Sequence, residues 1–315
     1  MKMKLLRIQT LIIALVLPLL SSCSGADDVN SQSSASVVVG ETAPTSAPTP
    51  TPAVNKDNLN MTLKPYISPP TGEPPKELLL EDIVEGSGEP VGFGDFLIMQ
   101  YVGVSYSTGL QFDASWDRGQ PFSFELGSGN VIAGWDEGIV GMTPGGRRLL
   151  TIPPQKAYGE RGSGSGSIGP NETLLFIVDL LAVVPEGLEK PDVSIPDQPT
   201  TELQIRDIVA GSGRSIEDGD VVYVHYAGYS QSTGSQFDAS WDRGRPQFIG
   251  FVIGQGNVID GWEEGLIGMQ VGGRRELIIP PDLAYGENGA GGGLIEPNET
   301  LVFVVDLLGA YPYSN

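Results

Sequence analysis

The sequence predicts two tandem α+β domains, each built from several antiparallel strands packed on one short helix. The first observation is a repeat, because the nine residues QFDASWDRG at 111–119 return at 236–244. The match then extends over about 107 residues in each unit, which is the usual size of one small domain. The second observation is that runs rich in β-branched, aromatic and leucine residues, bounded by Gly or Pro, recur in both units as strands do.

The elements of the first unit follow from these runs. Strands are predicted in DFLIMQYVGVSY from Asp95, in RRLLTIP from Arg147 and in TLLFIVDLLAVV from Thr173. A single helix is predicted over residues 131–139, where apolar residues recur near helical spacing. Asn130 is expected to cap its start, and Gly141 is expected to end it.

The chain divides into five segments on composition. We assign residues 1–22 to a signal peptide, 23–77 to a tether, 78–184 to the first domain, 185–202 to a linker and 203–310 to the second domain. The tether is rich in Ser, Thr, Pro and Ala, with TAPTSAPTPTPAV at its centre. Such a composition cannot bury enough apolar surface to fold, so the tether is expected to be disordered.

The first residues have the pattern of an export signal. Three basic residues precede an apolar run over 11–20 that is too short for a comfortable membrane span. Small residues then precede Cys23, the only cysteine in the chain. This resembles the lipobox of bacterial lipoproteins, which implies acylation of Cys23, lipid anchoring to a membrane and a location in the cell envelope on the extracytoplasmic side. The alternative is a free cysteine within a cleaved signal.

Composition also excludes several classes of site. The formal net charge is −21, so the chain is repelled by phosphate backbones and nucleic acid is not expected as a partner. A single cysteine leaves no disulfide within the chain. With that cysteine and one histidine, His225, neither a zinc site nor a histidine triad can be assembled, and no metal or cofactor is expected.

A series of motifs appears in the same order in both units. The first unit carries Tyr-x-Gly at 101–103, Phe-Asp at 112–113, Asp-Arg at 117–118, Pro-Phe at 121–122, Val-Ile-x-Gly-Trp at 131–135 and Ala-Tyr-Gly at 157–159. The series resembles the FKBP family, the macrolide-binding peptidyl-prolyl isomerases, over both units. The resemblance implies that each domain is a half-open antiparallel sheet wrapped around one short helix, with an apolar cleft that receives proline.

The resemblance also implies the site residues. The first cleft would be formed by Tyr101, Phe112, Asp113, Arg118, Phe122, Val131, Ile132, Trp135, Tyr158, Ile168 and Phe176. The second would be formed by Tyr226, Phe237, Asp238, Arg243, Val258, Ile259, Trp262, Tyr285, Ile295 and Phe303. Trp135 is expected as the floor of the first cleft, and the Ile132 N–H and the Tyr158 hydroxyl as hydrogen-bond donors to the substrate.

Other interpretations of these residues stay open. Each aromatic residue taken alone is more typical of a hydrophobic core. Asp113 and Asp117 are a possible carboxylate pair for hydrolysis or calcium, although the adjacent Arg118 favours a salt bridge. The Gly-rich runs from Gly162 and Gly289 lack the Lys-Ser/Thr of a phosphate loop.

The two units differ at one wall of the cleft. The second has two more residues between Pro246 and Phe251 than the first has at the matching place. An even insertion preserves strand alternation, so Phe251 is expected to face the way Phe124 does, past a bulge at Gly250. Phe248 and Ile249 are both candidates to replace Phe122 in the second cleft.

The expected function is isomerisation of X-Pro bonds in exported proteins. The expected partners are unfolded or nascent exported polypeptides that contain proline, and macrolides such as rapamycin. The alternatives are a module that binds proline-containing segments or acts as a chaperone without turnover, especially in the second domain, and a structural scaffold.

Overall fold

The computed structural model describes residues 56–243 and 249–312 of the 315-residue chain. The predicted signal peptide, Cys23 and the tether as far as residue 55 lie outside the described residues.

The first domain contains six strands and one short α-helix. The predicted strands are confirmed in position, and three shorter ones complete the sheet. Its elements are β1 (Leu79–Val84), β2 (Phe96–Ser105), β3 (Gln111–Ala114), β4 (Phe122–Glu125), α1 (Ala133–Gly138), β5 (Arg147–Ile152) and β6 (Leu174–Val184).

The second domain repeats this order in its described residues. Its elements are β7 (Gln204–Val209), β8 (Asp220–Ser230), β9 (Gln236–Ala239), β10 (Ile249–Val252), α2 (Asp260–Gly265), β11 (Arg274–Ile279) and β12 (Leu301–Pro312). The α+β fold class, as two repeated domains, is therefore confirmed.

Each sheet is antiparallel and has the same strand order. In the first domain the order is β1-β5-β6-β2-β3, and β4 pairs with the other end of β2. The long central strand β2 therefore pairs with β3 along one part and with β4 along another. Because β3 carries Phe112 and β4 carries Phe122, both residues lie beside β2, close to Tyr101.

The helix lies on the sheet and closes the core. Trp135 and Ile139 on and beside α1 are buried together with residues of β2, β5 and β6. Trp262 and Leu266 take the matching places in the second domain. Burial of these large side chains provides the main stabilisation of each domain, because the hydrophobic term is proportional to the apolar area removed from water.

The helix begins later and ends earlier than the sequence predicts. Its N-cap is Ile132, in an extended conformation, and its C-cap is Ile139. Asn130 is not the cap, because its amide donates to the Ser128 hydroxyl two residues earlier. Gly141 follows the helix at a φ of 81°, a left-handed conformation that glycine adopts readily. The spacing of apolar residues found the helix but not its termini.

The end of the predicted tether is ordered, and this part of the prediction is corrected. Residues 56–73, here called the first strap, pack on the first domain with Met61 and Ile67 buried. Arg147 is fully buried, is paired with Asp179, and donates to the carbonyl groups of strap residues Asn58, Asn60 and Leu63. A buried guanidinium needs these acceptors, which explains why a proline-rich segment with few apolar residues is held.

Part of the linker does the same for the second domain. In residues 189–196, here called the second strap, the Glu189 carbonyl accepts from Arg274, which pairs with Asp306 as Arg147 pairs with Asp179. Lys190 pairs with Asp242 as Lys64 pairs with Asp117. Each strap therefore joins an inner strand of its sheet, β5 or β11, to the loop after β3 or β9.

No helix in residues 56–243 and 249–312 is long and apolar enough to cross a membrane. The same residues contain no group of three or more His, Cys, Asp or Glu side chains arranged to hold a metal ion.

Candidate functional site

An apolar cleft of about 180 Å³ opens between α1 and the sheet of the first domain. The structure brings nine of the eleven predicted residues to its walls, together with Asn130. The lining residues are Tyr101, Phe112, Asp113, Phe122, Asn130, Val131, Ile132, Trp135, Tyr158 and Phe176. The cleft has room for one small ring, since an apolar cavity of this size exceeds the volume of several water molecules.

Edge-to-face contacts between aromatic rings shape this cleft. Trp135 is 4 % exposed, and its ring centroid lies 5.2 Å from those of both Tyr101 and Phe176, nearly perpendicular to each. Phe122 lies 6.0 Å from Trp135, and Phe112 lies 5.4 Å from Phe176. Such pairs contribute about 0.5–1.5 kcal/mol each beyond their buried area, so the rings hold one another in place.

A glycine makes room for two of these rings. A Cβ atom on Gly103 would lie 2.7 Å from the nearest ring atoms of Phe112 and of Phe176. Carbon atoms do not approach so closely without displacement, because nonbonded carbons are at optimal separation near 3.5–4.0 Å. Gly103 belongs to the Tyr-x-Gly motif, but its part in the cleft was not among the predicted site residues. The Tyr-x-Gly motif was the feature of the sequence that could have identified Gly103 as a residue of the cleft.

A tyrosine, an aspartate and an arginine form a hydrogen-bonded group at the rim. The Tyr101 hydroxyl donates to Asp113 Oδ2 at 2.5 Å, and Arg118 donates to Asp113 Oδ1. Arg118 Nη2 also donates to the Tyr101 oxygen at 2.7 Å, and its Cζ lies 5.5 Å from the centre of the Tyr101 ring. Arg118 contributes to the rim through these bonds and does not line the cavity.

The environment of this group fixes its protonation. Burial, with a further contribution from the Asp113 hydrogen bond and charge, raises the pKa of Tyr101 to about 12. Tyr101 therefore stays protonated and donates to the carboxylate at neutral pH. The Asp113 and Arg118 side chains are 43 % and 49 % exposed, so the ion pair is half solvated and serves mainly to hold the loop in position.

Two donors on residues that line the cleft have no acceptor within the described part of the protein, and these are the Ile132 N–H and the Tyr158 hydroxyl. The indole N–H of Trp135 also has no partner there, but its nitrogen is buried. Tyr158 is 42 % exposed, and burial together with the Asp113 charge raises the pKa of its hydroxyl, which keeps the proton on it. A ligand carbonyl in the cleft can therefore be met by donors that the protein does not use itself.

One predicted residue lies behind the others. Ile168 is 4 % exposed and is packed into the core cluster that surrounds Trp135, without reaching the wall of the cavity. It follows the serine- and glycine-rich loop, and its N–H donates to the Ser163 hydroxyl at 3.0 Å. Ile168 therefore anchors the end of this loop to the core.

The second domain repeats the ring arrangement. The Trp262 centroid lies 5.3 Å from Tyr226 and 5.2 Å from Phe303, and Phe237 lies 5.5 Å from Phe303. Val258 and Ile259 are partly buried against the same cluster, Ile295 is buried in it, and Tyr285 is 40 % exposed at its edge.

The rim of the second domain is also repeated. Tyr226 donates to Asp238 at 2.5 Å, and Arg243 Nη2 donates to both Asp238 oxygens and to the Tyr226 oxygen. Burial raises the pKa of Tyr226 in the same direction as that of Tyr101.

Strand register identifies the residue that replaces Phe122. Phe122 lies opposite Met99 on β2, and Ile249 lies opposite Val224, which is the counterpart of Met99 on β8. Ile249 therefore takes the position of Phe122, so at this position of β10 the second domain has an aliphatic residue in place of a ring. Phe248, the other candidate, lies outside the described residues.

The neighbouring prediction for Phe251 is confirmed. Phe251 lies opposite Val222 as Phe124 lies opposite Leu97, and its ring lies 5.8 Å from Trp262. The ladder between β10 and β8 is regular over 249–252, so the bulge expected at Gly250 is not found there.

The repeated stretch QFDASWDRG now has a residue-by-residue explanation. Gln111 and Lys64 of the first strap both donate to Asp117, and their hydrogen bonds lower the pKa of that carboxyl group. The hydroxyl of Ser115 accepts from the Tyr101 N–H on the adjacent strand. The stretch therefore ties together the strap, the central strand and the rim of the cleft. Because each carboxylate has a cationic partner, the arrangement does not favour the hydrolytic or calcium interpretation of Asp113 and Asp117.

Comparison with known proteins identifies both repeats. Residues 88–181 and 212–308 match the family described as FKBP-type peptidyl-prolyl cis-trans isomerase. A relative from Streptomyces anulatus, "FK506-binding protein", is 54 % identical over 120 residues, which are 38 % of this chain and 97 % of the relative.

Longer relatives match across both repeats. The "Peptidyl-prolyl cis-trans isomerase FKBP10" of Mus musculus is 38 % identical over 214 residues, which are 68 % of this chain, and the chain spans 34 % of that relative's length. Among solved structures, wheat FKBP73 with its three FKBP domains is 21 % identical, covers 75 % of this chain and 95 % of that one, and gives a TM-score of 0.32. A TM-score this low reflects a poor superposition of the whole chains, so the relationship rests on the sequence matches.

Proposed function

The chain belongs to the FKBP-type peptidyl-prolyl cis-trans isomerase family and is an isomerase of this type, and on that premise we propose that its first cleft binds the twisted form of an X-Pro bond without a covalent step. The observation that carries the proposal is the apolar cleft of about 180 Å³ walled by Tyr101, Phe122, Trp135 and Phe176, with unused donors beside it.

The physical argument starts from the amide. Rotation about an X-Pro bond takes ~10–100 s at room temperature, because the planar amide must lose its resonance. The planar form is the more polar one, so an apolar cleft stabilises the twisted form relative to it. A barrier lowered by ~6–8 kcal/mol corresponds to a rate increase of about 10⁴–10⁶.

The residues of the cleft take distinct parts in this step. The proline ring enters above Trp135, between Phe176 and Phe122, and the Ile132 N–H donates to the carbonyl group that precedes proline. Tyr158 provides a second donor. Asp113, held by Arg118 and Tyr101, keeps the loop that carries Phe112 in place.

A coupled assay with a tetrapeptide of the Ala-Leu-Pro-Phe type tests the proposal. The full chain is expected to accelerate isomerisation, and Trp135→Leu combined with Trp262→Leu is expected to abolish the acceleration while secondary structure is retained. Absence of acceleration by the unmodified chain would contradict the catalytic role of both clefts. Rapamycin is expected to compete with the peptide and to change tryptophan fluorescence.

The second cleft has a different candidate function. Among the described residues, Ile249 stands in place of a phenylalanine and removes one aromatic wall, which favours binding of proline-containing segments with slow turnover. A Trp135→Leu background, in which the first cleft is inactivated, distinguishes isomerisation by the second cleft from binding without turnover. Rapamycin or peptide binding that persists there without isomerisation would support the binding module.

The substrates we propose are exported, unfolded polypeptides that contain proline, met at a membrane surface. The proposal is supported by the basic and apolar start of the chain, by Cys23 and by the tether that follows. A net charge of −21 makes nucleic acid an unfavourable partner. Labelling of cells with a palmitate analogue is expected to mark the protein in the membrane fraction. The same protein with Cys23→Ser is expected to be unlabelled and to leave that fraction.

A further inference from the structure

A third hydrophobic cluster joins the two domains through equivalent residues. The buried side chains Ile98, Leu181 and Ala182 of the first domain pack with Tyr223 and Leu308 of the second. In the repeat, Ile98 corresponds to Tyr223, Leu181 to Leu308 and Ala182 to Gly309. The same face of each domain therefore meets its own counterpart.

Polar contacts beside this cluster are reciprocal in the same way. The Arg214 N–H donates to the Ser87 hydroxyl at 2.8 Å, and the Ser212 hydroxyl donates to Glu89 at 3.2 Å. Ser87 corresponds to Ser212 and Glu89 to Arg214, so the two bonds exchange partners. Gly88 and its counterpart Gly213 lie between them, with the Cα of Gly213 3.6 Å from the place of a Cβ on Gly88. This reciprocity is the property of a two-fold, isologous interface.

The closest approach lies at Gly309. A Cβ on this residue would stand 2.1 Å from the Leu181 carbonyl oxygen and 2.8 Å from the Ala182 Cβ. The first domain has Ala182 at the matching place. The centre of the interface therefore holds the Cβ of Ala182 and has no space for a second Cβ on Gly309. The packing is thus as close as in a protein core, where a single added carbon is felt.

We propose that this face of each domain is a self-complementary docking surface whose partner is the sister domain, and that it holds the two clefts in one fixed, pseudo-two-fold relation. The two domains then form one rigid body with two clefts and are not independent domains on a linker. A consequence, which rests on the proposed function, is that one unfolded polypeptide with prolines at two places binds both clefts. The second contact is then intramolecular and raises the overall affinity.

Distances between spin labels test the fixed relation without reference to activity. Labels are placed at Thr108→Cys and Thr233→Cys, two exposed and equivalent turn positions, in the full chain with Cys23→Ser. A single narrow distance distribution is expected. Gly309→Val and the reciprocal Ala182→Leu are both expected to broaden it. Gly92→Val, where an added Cβ meets nothing within 4 Å, is the matched control and leaves it unchanged.

The possible outcomes decide the proposal. A broad distribution in the labelled chain without further substitution would overturn it, whether or not the two interface variants fold. A narrow distribution that survives both Gly309→Val and Ala182→Leu would show that another surface holds the domains.

The consequence for substrates is tested separately. Gly309→Val is expected to lower the rate on a proline-rich unfolded protein several-fold and to leave the tetrapeptide rate unchanged. A tetrapeptide rate of zero in the unmodified chain contradicts the proposed function alone. An equal loss on both substrates, or no loss on the unfolded protein, contradicts the consequence.

Discussion

At the scale of single residues, the absence of a side chain at position 103 decides whether the first cleft is open. In Gly103→Ala the added Cβ would lie 2.7 Å from the rings of Phe112 and Phe176, so both rings must shift toward the cavity. We expect a loss of at least about tenfold in kcat/KM, equivalent to about 1.4 kcal/mol in the barrier. The measurement is the tetrapeptide assay in a Trp262→Leu background, with Gly92→Ala as control. An unchanged rate with an unchanged fold would contradict the assignment of this cleft.

The one histidine makes a prediction about pH. His225 is 1 % exposed, lies 2.8 Å from the Ser240 hydroxyl and stacks on Trp241 at 4.4 Å, while its Nε2 is buried with no partner among the described residues. Burial lowers its pKa to about 4, below the ordinary 6.5. Between pH 6.5 and about 4 the unfolded chain therefore binds a proton that the folded chain does not. The free energy of unfolding falls as the pH falls through this range.

The lowered pKa of His225 also sets the size of its effect on the free energy of unfolding. The gap between 6.5 and about 4 corresponds to roughly 3 kcal/mol at most. His225→Gln, which copies Gln100 of the first domain, is expected to remove this part of the pH dependence. Urea unfolding at pH 7 and pH 4.5 measures it, and an identical pH dependence in both proteins would show that His225 is not the group responsible.

At the scale of elements, periodicity and composition predicted the long strands and the existence of the helix. The start of the helix was wrong at Asn130, because a polar residue before an apolar run can bond to its own loop, here to Ser128, instead of to the helix. The first strap was missed because its few buried residues, Met61 and Ile67, lie in a segment whose prolines and polar residues resemble the rest of the tether. The order of this strap comes from a buried guanidinium on a distant strand, which no local pattern shows.

The first strap is predicted to be part of the folded domain. A chain that begins at residue 78 loses the carbonyl acceptors of Arg147 and exposes the surface covered by Met61 and Ile67. We expect it to be less stable than a chain that begins at residue 56 by about 3 kcal/mol, because the buried guanidinium keeps its pairing with Asp179 but loses its other hydrogen-bond acceptors. The measurement is thermal unfolding of both.

A control substitution at Lys64 tests whether the first strap stabilises the domain through its exposed charge and not through its carbonyl groups. Lys64→Met removes only an ion pair whose side chains are 37 % and 51 % exposed, and is expected to cost under about 1 kcal/mol. Equal melting temperatures for the chains that begin at 56 and at 78 would show that the strap adds nothing to the fold.

At the scale of the whole molecule, duplication gives two clefts with one built-in difference. The two-domain organisation could be predicted from the repeat, and the family and the aromatic residues of the cleft from the resemblance of the motif series. The identity of the residue in place of Phe122 could not, because an insertion leaves two candidates until the strand pairing is known. The fixed relation between the domains was also out of reach, since the residues that make it are ordinary strand positions in each repeat.

This difference predicts how isomerase activity is divided between the domains. Phe122 contacts three rings, those of Tyr101, Phe124 and Trp135, at 5.5–6.0 Å, and Ile249 makes no aromatic pair in its place. Each of these aromatic contacts is worth about 1 kcal/mol, or about fivefold in rate. Phe122→Ile in a Trp262→Leu background, which removes all three, is therefore expected to slow the first cleft at least about fivefold, and Ile249→Phe in a Trp135→Leu background to quicken the second. If the reciprocal exchange left both rates unchanged, the aromatic wall would not be what distinguishes the two domains.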